Sequence, residues 1–188
     1  DRRMRIRRLP VRLLAVLAPV LLAGSAVLAQ SRAAAPLDRL RTRAEQSNFT
    51  ETSRYDDVQA FLATVDQASN LVHLTSFGYS LEGRTLPLAV VGRVADARPA
   101  TVKAAGRLRV YVQANIHAGE VEGKEAMLAL VRDIAKGQYA DWMGSMVLLV
   151  NPVYNADGTE KVNLVNRGFQ HGPFGGQGTR ANAQGLNI

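Results

Sequence analysis

The chain has no cysteine. Disulfide staples, thiolate nucleophiles and sulfur ligands are therefore all excluded, and any metal site must be built from His, Asp and Glu. Histidine is scarce too: His73, His117 and His171 are the only three. Aromatics make up 6% of residues, with a single tryptophan, and Trp142 and the tyrosines form no spaced platform for stacking bases. No phosphate-cradling glycine loop or nucleophile elbow is present. A basic stripe is also missing. Of the formal net charge of +7, residues 1 to 12 hold +5 and the rest only +2, so nucleic acid is not an expected partner.

The longest apolar stretch, Leu13–Leu28, runs 16 residues and is interrupted by Pro19 and Gly24. A spanning helix needs about 20, so no stable membrane span is expected. Six arginines precede the stretch and small residues surround Ala29. That order of cationic, apolar and small segments is a secretory signal peptide, expected over 1–29, and it directs the rest of the chain to a secreted or periplasmic location. Residues 30–50 are polar and arginine-rich and read as a linker.

From residue 51 the composition is that of a globular domain, 47% hydrophobic and 21% charged over the whole chain. Val58, Phe61, Leu62 and Val65 recur at helical spacing, with Ser53 and Asp56 as a capping pair and an end near Ser69. Residues 71–92 hold two β-type runs around Glu82-Gly83-Arg84, a hairpin whose turn needs the glycine and whose charges are solvated or paired. Residues 96–107, with Pro99 and Gly106, read as a connection. "RLRVYVQANI" alternates as a strand, with Leu108, Val110, Val112, Ala114 and Ile116 on one face. Glu122 to Lys136 carries apolar residues at i, i+3, i+4 and i+7 before a Gly137 stop, and "MVLLV" at 146–150 suits a strand buried on both sides. Strand, helix, strand in this order predicts a βαβ unit and an α/β fold with a mixed, mostly parallel sheet flanked by helices. The glycine-punctuated run from Asn166 onward has the composition of a flexible tail.

In open α/β sheets ligands bind where strands give way to helices. "NIHAGEVEGKE", residues 115–125, occupies that junction. His117 and Glu120 offer an imidazole and a carboxylate three residues apart, a spacing that lets both reach one ion, although an acidic helix start beside a solvated histidine is the plainer reading of the same residues. Glu122 and Glu125 suit the positive end of a helix dipole. His171 lies in a glycine-rich stretch and His73 in a strand, and neither has the short fixed offset that preorganises a third ligand.

Four motifs occur in order: "FGYSLEGRTLPLAVVG", "VYVQANIHAGEVEGKEA", "LLVNPVYNADGTE" and "GTRANAQGLNI". Together, from Phe49 to Ile188, they resemble the amino-terminal half of the catalytic domain of zinc carboxypeptidases, the metallocarboxypeptidase (funnelin) family, truncated on its C-terminal side. The resemblance implies a Zn2+ cofactor held by His117 and Glu120, and an oxyanion-stabilising arginine at Arg180, with Arg167 as runner-up. It implies that Asn151-Pro152 and Asp157-Gly158 begin the loop lining the active-site funnel. It also implies a peptide or protein substrate, cleaved at its carboxyl-terminal bond. Position 119 is glycine where digestive members carry a substrate-contacting arginine. The family's third zinc ligand, its general base and its carboxylate-gripping Asn-Arg pair fall beyond Ile188, so the 188 residues alone are expected to be inactive. The alternatives are a zinc amidohydrolase acting on N-acyl amino acids and a non-catalytic exported binding protein or remnant.

Overall fold

The computed structural model describes residues 37–188; the expected signal peptide and the start of the expected linker lie outside them. Val72–Tyr79 (β1) and Thr85–Val91 (β2) form the expected antiparallel hairpin. Leu108–Gln113 (β3), Glu122–Ala135 (α4) and Met146–Asn151 (β4) form the βαβ unit, with β3 and β4 parallel. The sheet order is β1-β2-β4-β3, so β2 pairs antiparallel with β4 and the sheet is mixed, only its β3–β4 pairing being parallel.

Two-sided burial explains the apolar runs of β2 and β4. Ala89, Val91, Leu148 and Val150 face a core shared with Val58, Phe61, Leu62 and Val65 of Tyr55–Ala68 (α2) and with Leu128, Val131 and Ile134 of α4. Their neighbours Val90 and Val147 face the other side, against Val102. Val102 belongs to Pro99–Ala104 (α3), a helix within the stretch expected as a connection. Pro99 stands in its first turn, where a missing N–H costs nothing, and this is why a residue that looked like a breaker begins a helix instead. Helices on both faces give the layered α/β/α arrangement.

Two local expectations are corrected. Residues 37–50 are not wholly linker: Thr42 and Glu45 form a reciprocal capping box at the one-turn helix Arg43–Gln46 (α1), and Arg132 of α4 donates to Glu45 Oε2 at 2.6 Å. Polar composition concealed a segment tied down by paired charges. The cap of α2 is also displaced, since the backbone N–H of Arg54 donates to Asp57 Oδ2 at 2.8 Å. Ser53 is engaged elsewhere. Its N–H and hydroxyl donate to the Glu125 carboxylate at 2.6 and 3.0 Å, joined by Thr52 Oγ1 at 2.8 Å, so Glu125 does more than favour a helix start.

Beside Glu125, Lys124 is 1% exposed, and its Nζ donates to the Ser53 carbonyl. Burial pulls its pKa down from 10.5 to about 8, against the attraction of Glu125, Glu160 and Asp57 and with the repulsion of Arg54. Between those two values the unfolded chain binds the proton that the folded chain has released, so stability rises with pH across the window. Denaturant titrations at pH 7, 8, 9 and 10 should show this rise in the wild type relative to Lys124→Met; parallel profiles would refute it.

Candidate metal centre

β3 stops at Gln113 because the chain turns out of the sheet two residues later. Asn115 adopts φ 58°, a left-handed conformation that asparagine tolerates better than most residues. Its side chain is buried and fully used: Nδ2 donates to the carbonyls of Ala118 and Glu120 at 3.1 and 3.0 Å, and Oδ1 accepts from Thr159 Oγ1 at 2.6 Å. The Glu120 N–H closes the turn onto the His117 carbonyl at 2.9 Å. Residues 117–120 therefore form a tight turn held from inside by one amide. Alternation placed Asn115 in the strand, and nothing in that periodicity marked it as the organiser.

The glycine-rich run returns to this turn. The Ala118 N–H donates to the Thr179 carbonyl at 3.0 Å, and the Thr179 N–H to the Gly158 carbonyl at 3.1 Å. A Cβ on Gly178 would stand 2.4 Å from Gly158 O and 2.7 Å from Ala118 Cβ, so only glycine permits the approach. Asn155 fixes the third strand of this junction. It accepts from the Gly158 N–H at 2.9 Å, donates through Nδ2 to Ala181 O at 3.1 Å, and donates its own N–H to Asn115 O at 3.0 Å. The composition of a tail thus belongs to backbones in close packing.

His117 Nδ1 lies 2.9 Å from Glu120 Oε1, so the spacing does bring the two side chains together. His117 Nε2 lies 2.9 Å from Asn187 Oδ1. Both partners are acceptor oxygens, so the position of the ring proton decides which contact is a hydrogen bond: on Nδ1 it is donated to Glu120, and on Nε2 to Asn187, the tautomer in which Nδ1 is free to ligate a metal. Arg167 donates from Nη2 to Glu120 Oε1 at 2.8 Å, and the guanidinium, followed by His117, holds the Glu120 pKa below the ordinary carboxylate value. Asn187 escaped sequence reasoning because nothing local links residues seventy apart. The residues present fit zinc as two nitrogen and oxygen donors on one rigid turn. Among the described residues no group of three His, Cys, Asp or Glu side chains converges to complete a site.

Arg180 directly follows Thr179, whose carbonyl is bonded to the turn; its side chain is exposed and makes no hydrogen bond or ion pair among the described residues. His73 Nε2 is taken up by the Val94 carbonyl at 2.9 Å. His171 lines a separate cavity of about 720 Å³ with Phe49, Glu122 and Glu125. Asp157, expected in the loop after β4, lies in the short helix Ala156–Glu160 and is 3% exposed. It clamps the β1–β2 turn by accepting from Ser80 Oγ at 2.6 Å, Arg84 Nη1 at 2.7 Å and the Glu82 N–H at 3.1 Å. Burial opposes its ionisation, but those donors outweigh burial and set its pKa below the ordinary value.

Fold and site together define a layered α/β protein with an imidazole–carboxylate pair at the carboxyl end of a parallel strand. The sequence model of the zinc carboxypeptidases matches residues 58–188, and the chain belongs to that family. It is 28% identical over 109 residues to carboxypeptidase 2 of Trichophyton rubrum and 30% over 110 residues to that of Trichophyton equinum, each match covering 56% of this chain and 20% of the relative. The chain thus spans about a fifth of the length of these curated relatives. Among solved structures, carboxypeptidase A from Helicoverpa armigera is similar with TM-score 0.51 and 23% identity, over 63% of this chain and 28% of that one. A metallo-carboxypeptidase from Burkholderia cenocepacia gives TM-score 0.51 and 22% identity, over 71% and 31%. These likenesses support the fold.

Replacing Asn115 by Asp keeps its shape but turns a donor into an acceptor facing two carbonyls. Urea unfolding should show a loss of roughly 2–4 kcal/mol, the scale of buried carbonyls left without a donor; a loss under about 0.5 kcal/mol would contradict the organising role. Because its folded pKa is depressed, Asp157 contributes stability above its ordinary value of 3.8 that is lost as pH falls through the folded value. Asp157→Asn should be less stable than wild type at pH 7, the difference shrinking below about pH 4 in acid denaturation.

Proposed function

We propose that the chain carries the first half of the active site of an exported zinc metallocarboxypeptidase, which hydrolyses the carboxyl-terminal peptide bond of proteins or cell-wall peptides. The observation that carries this reading is the 2.9 Å approach of His117 Nδ1 to Glu120 Oε1 on a preorganised turn, inside the family match. Export rests on the leader pattern of residues 1–29. The third zinc ligand and the general base are assigned to the remainder of the family domain, which this chain does not span.

His117 and Glu120 would hold the metal. Zinc, when bound, supplies Lewis acidity toward the scissile carbonyl and acidifies a bound water. Asn187 Oδ1 offers an acceptor to a proton on Nε2, the tautomer in which Nδ1 would be available as a metal ligand. Arg180, exposed and not committed to another partner among the described residues, offers a guanidinium to the oxygen on which negative charge develops. A cation placed there favours the transition state over the ground state.

The test uses the protein with its complete family domain, with peptides bearing free or amidated carboxyl termini and with N-acyl amino acids. Free-terminus peptides should be cleaved and their amides spared. Cleavage of acyl amino acids alone would make the protein an amidohydrolase, and a metal-loaded protein inert on every substrate would support the binding-protein alternative. His117→Ala and Glu120→Ala should each abolish stoichiometric zinc uptake and activity. Arg180→Met should lower kcat by about 100- to 1,000-fold with a smaller change in KM, while zinc uptake stays intact.

A further inference from the structure

Arg167 reaches Glu120 through a space that exists because residue 119 has no side chain. A Cβ on Gly119 would stand 2.7 Å from Arg167 Nε, 2.8 Å from its Cγ and 2.9 Å from Gly178 O. The guanidinium therefore lies against the peptide backbone between the two proposed ligands. Its Nε is buried and has no hydrogen-bond partner, the one such side-chain atom among the described residues. An orphaned N–H of this kind is unfavourable, so the position is held by the Glu120 contact rather than chosen for Arg167's own satisfaction.

The loop that carries Arg167 is closed and anchored. The Asn163 N–H donates to Gln177 O at 3.1 Å, and Asn166 Nδ2 donates to Lys161 O and Gln177 O at 2.8 and 2.7 Å. Gln177 adjoins Gly178, which packs on Ala118. The cation is thus delivered by a frame tied to the same turn that holds the ligands. At Glu120 both contacts fall on one oxygen: Oε1 receives Arg167 Nη2 at 2.8 Å and faces His117 Nδ1 at 2.9 Å. Oε2 has no partner among the described residues. A carboxylate gripped by one oxygen, with the other open, is oriented but still able to ligate.

We propose that Arg167, admitted by Gly119, is a positioning residue that fixes the Glu120 carboxylate for metal binding. This rests on the zinc reading of His117 and Glu120. Hydrogen-bond partners of a metal-ligating carboxylate raise affinity by removing the orientational freedom the ligand would otherwise lose on binding. Because the contact uses a single N–H, a lysine can make it as well; an arginine used as a fork could not be replaced this way.

The test is carried out on the protein with its complete family domain by zinc titration calorimetry, with the arginine Nε–H signals observed by NMR in the metal-free protein. Arg167→Met should weaken zinc binding by about 10- to 100-fold, whereas Arg167→Lys should stay within about three-fold of wild type, the rescue expected of a one-bond contact. Wild type should show one Nε–H signal, absent in Arg167→Lys, that exchanges slowly with water. Gly119→Ala, which leaves Arg167 in place but closes its space, should lose that protection and weaken zinc binding as Arg167→Met does. Thermal unfolding of each variant checks that it is folded, and Gly119→Ala carries the test should Arg167→Met not fold. Zinc binding by Arg167→Met equal to wild type would reduce Arg167 to packing, and tighter binding would make it a competitor of the metal; either overturns the proposal while leaving the zinc reading intact. Absence of zinc uptake by the wild type would overturn both.

Discussion

The structure around the proposed ligands depends on one side chain, the amide of Asn115. A strand of the mixed sheet must end and release its chain into a turn, and the turn must present two side chains in fixed directions. Asn115 does both, by accepting a left-handed backbone and by donating to the carbonyls of Ala118 and Glu120 across the turn. Thr159 Oγ1 donates to its oxygen, and its own carbonyl receives Asn155, so the turn is fastened to the segment after β4. Rotation of this amide would release three hydrogen bonds at once. A carboxylate or an aliphatic side chain of similar size could not make the same set, because donors are needed on one end and an acceptor on the other.

From that anchor the site grows by backbone contact. Three chain segments meet where side chains are missing: Gly178 lies against Gly158 and Ala118, Gly119 lies under Arg167, and Gly158 accommodates the cap from Asn155. Glycine here serves close approach rather than mobility. This explains how a run with the composition of a linker comes to border the proposed site, and how Arg180 is placed beside it by the backbone bond of the preceding Thr179.

Legibility of the sequence followed the range of the interaction. Helical spacing of Val58, Phe61, Leu62 and Val65 and the apolar run of β4 report burial, and each appears in the structure as read. β3 was read correctly as a strand, but its alternating face is only partly covered, and Leu108 is 65% exposed because β3 pairs with β4 alone among the described residues. Periodicity measures a tendency to be covered, not the presence of a cover. The segments read as linker and connection, 30–50 and 96–107, hold the short helices Arg43–Gln46, tied by its capping box and the Arg132–Glu45 pair, and Pro99–Ala104, whose Val102 packs on the sheet, and composition does not record such contacts. At the site, the His-x-x-Glu spacing was visible because it is local. Asn187 and Thr159 were not, and Arg167 was read only as an alternative oxyanion arginine, because their contacts span 70, 44 and 47 residues.

Glu120 sums up how far local chemistry and long-range packing must agree. On spacing alone it is one of three glutamates near a helix start, and all three would suit the helix dipole. Packing separates them. Glu125 spends its carboxylate on Thr52 and Ser53 and is structural, whereas Glu122 stands over a cavity outside the turn. Glu120 alone is set beside an imidazole, with one oxygen held and the other open. What distinguishes a candidate ligand from its neighbours is therefore the unused valence left after the structure has satisfied the rest, a quantity that depends on the fold as much as on the motif.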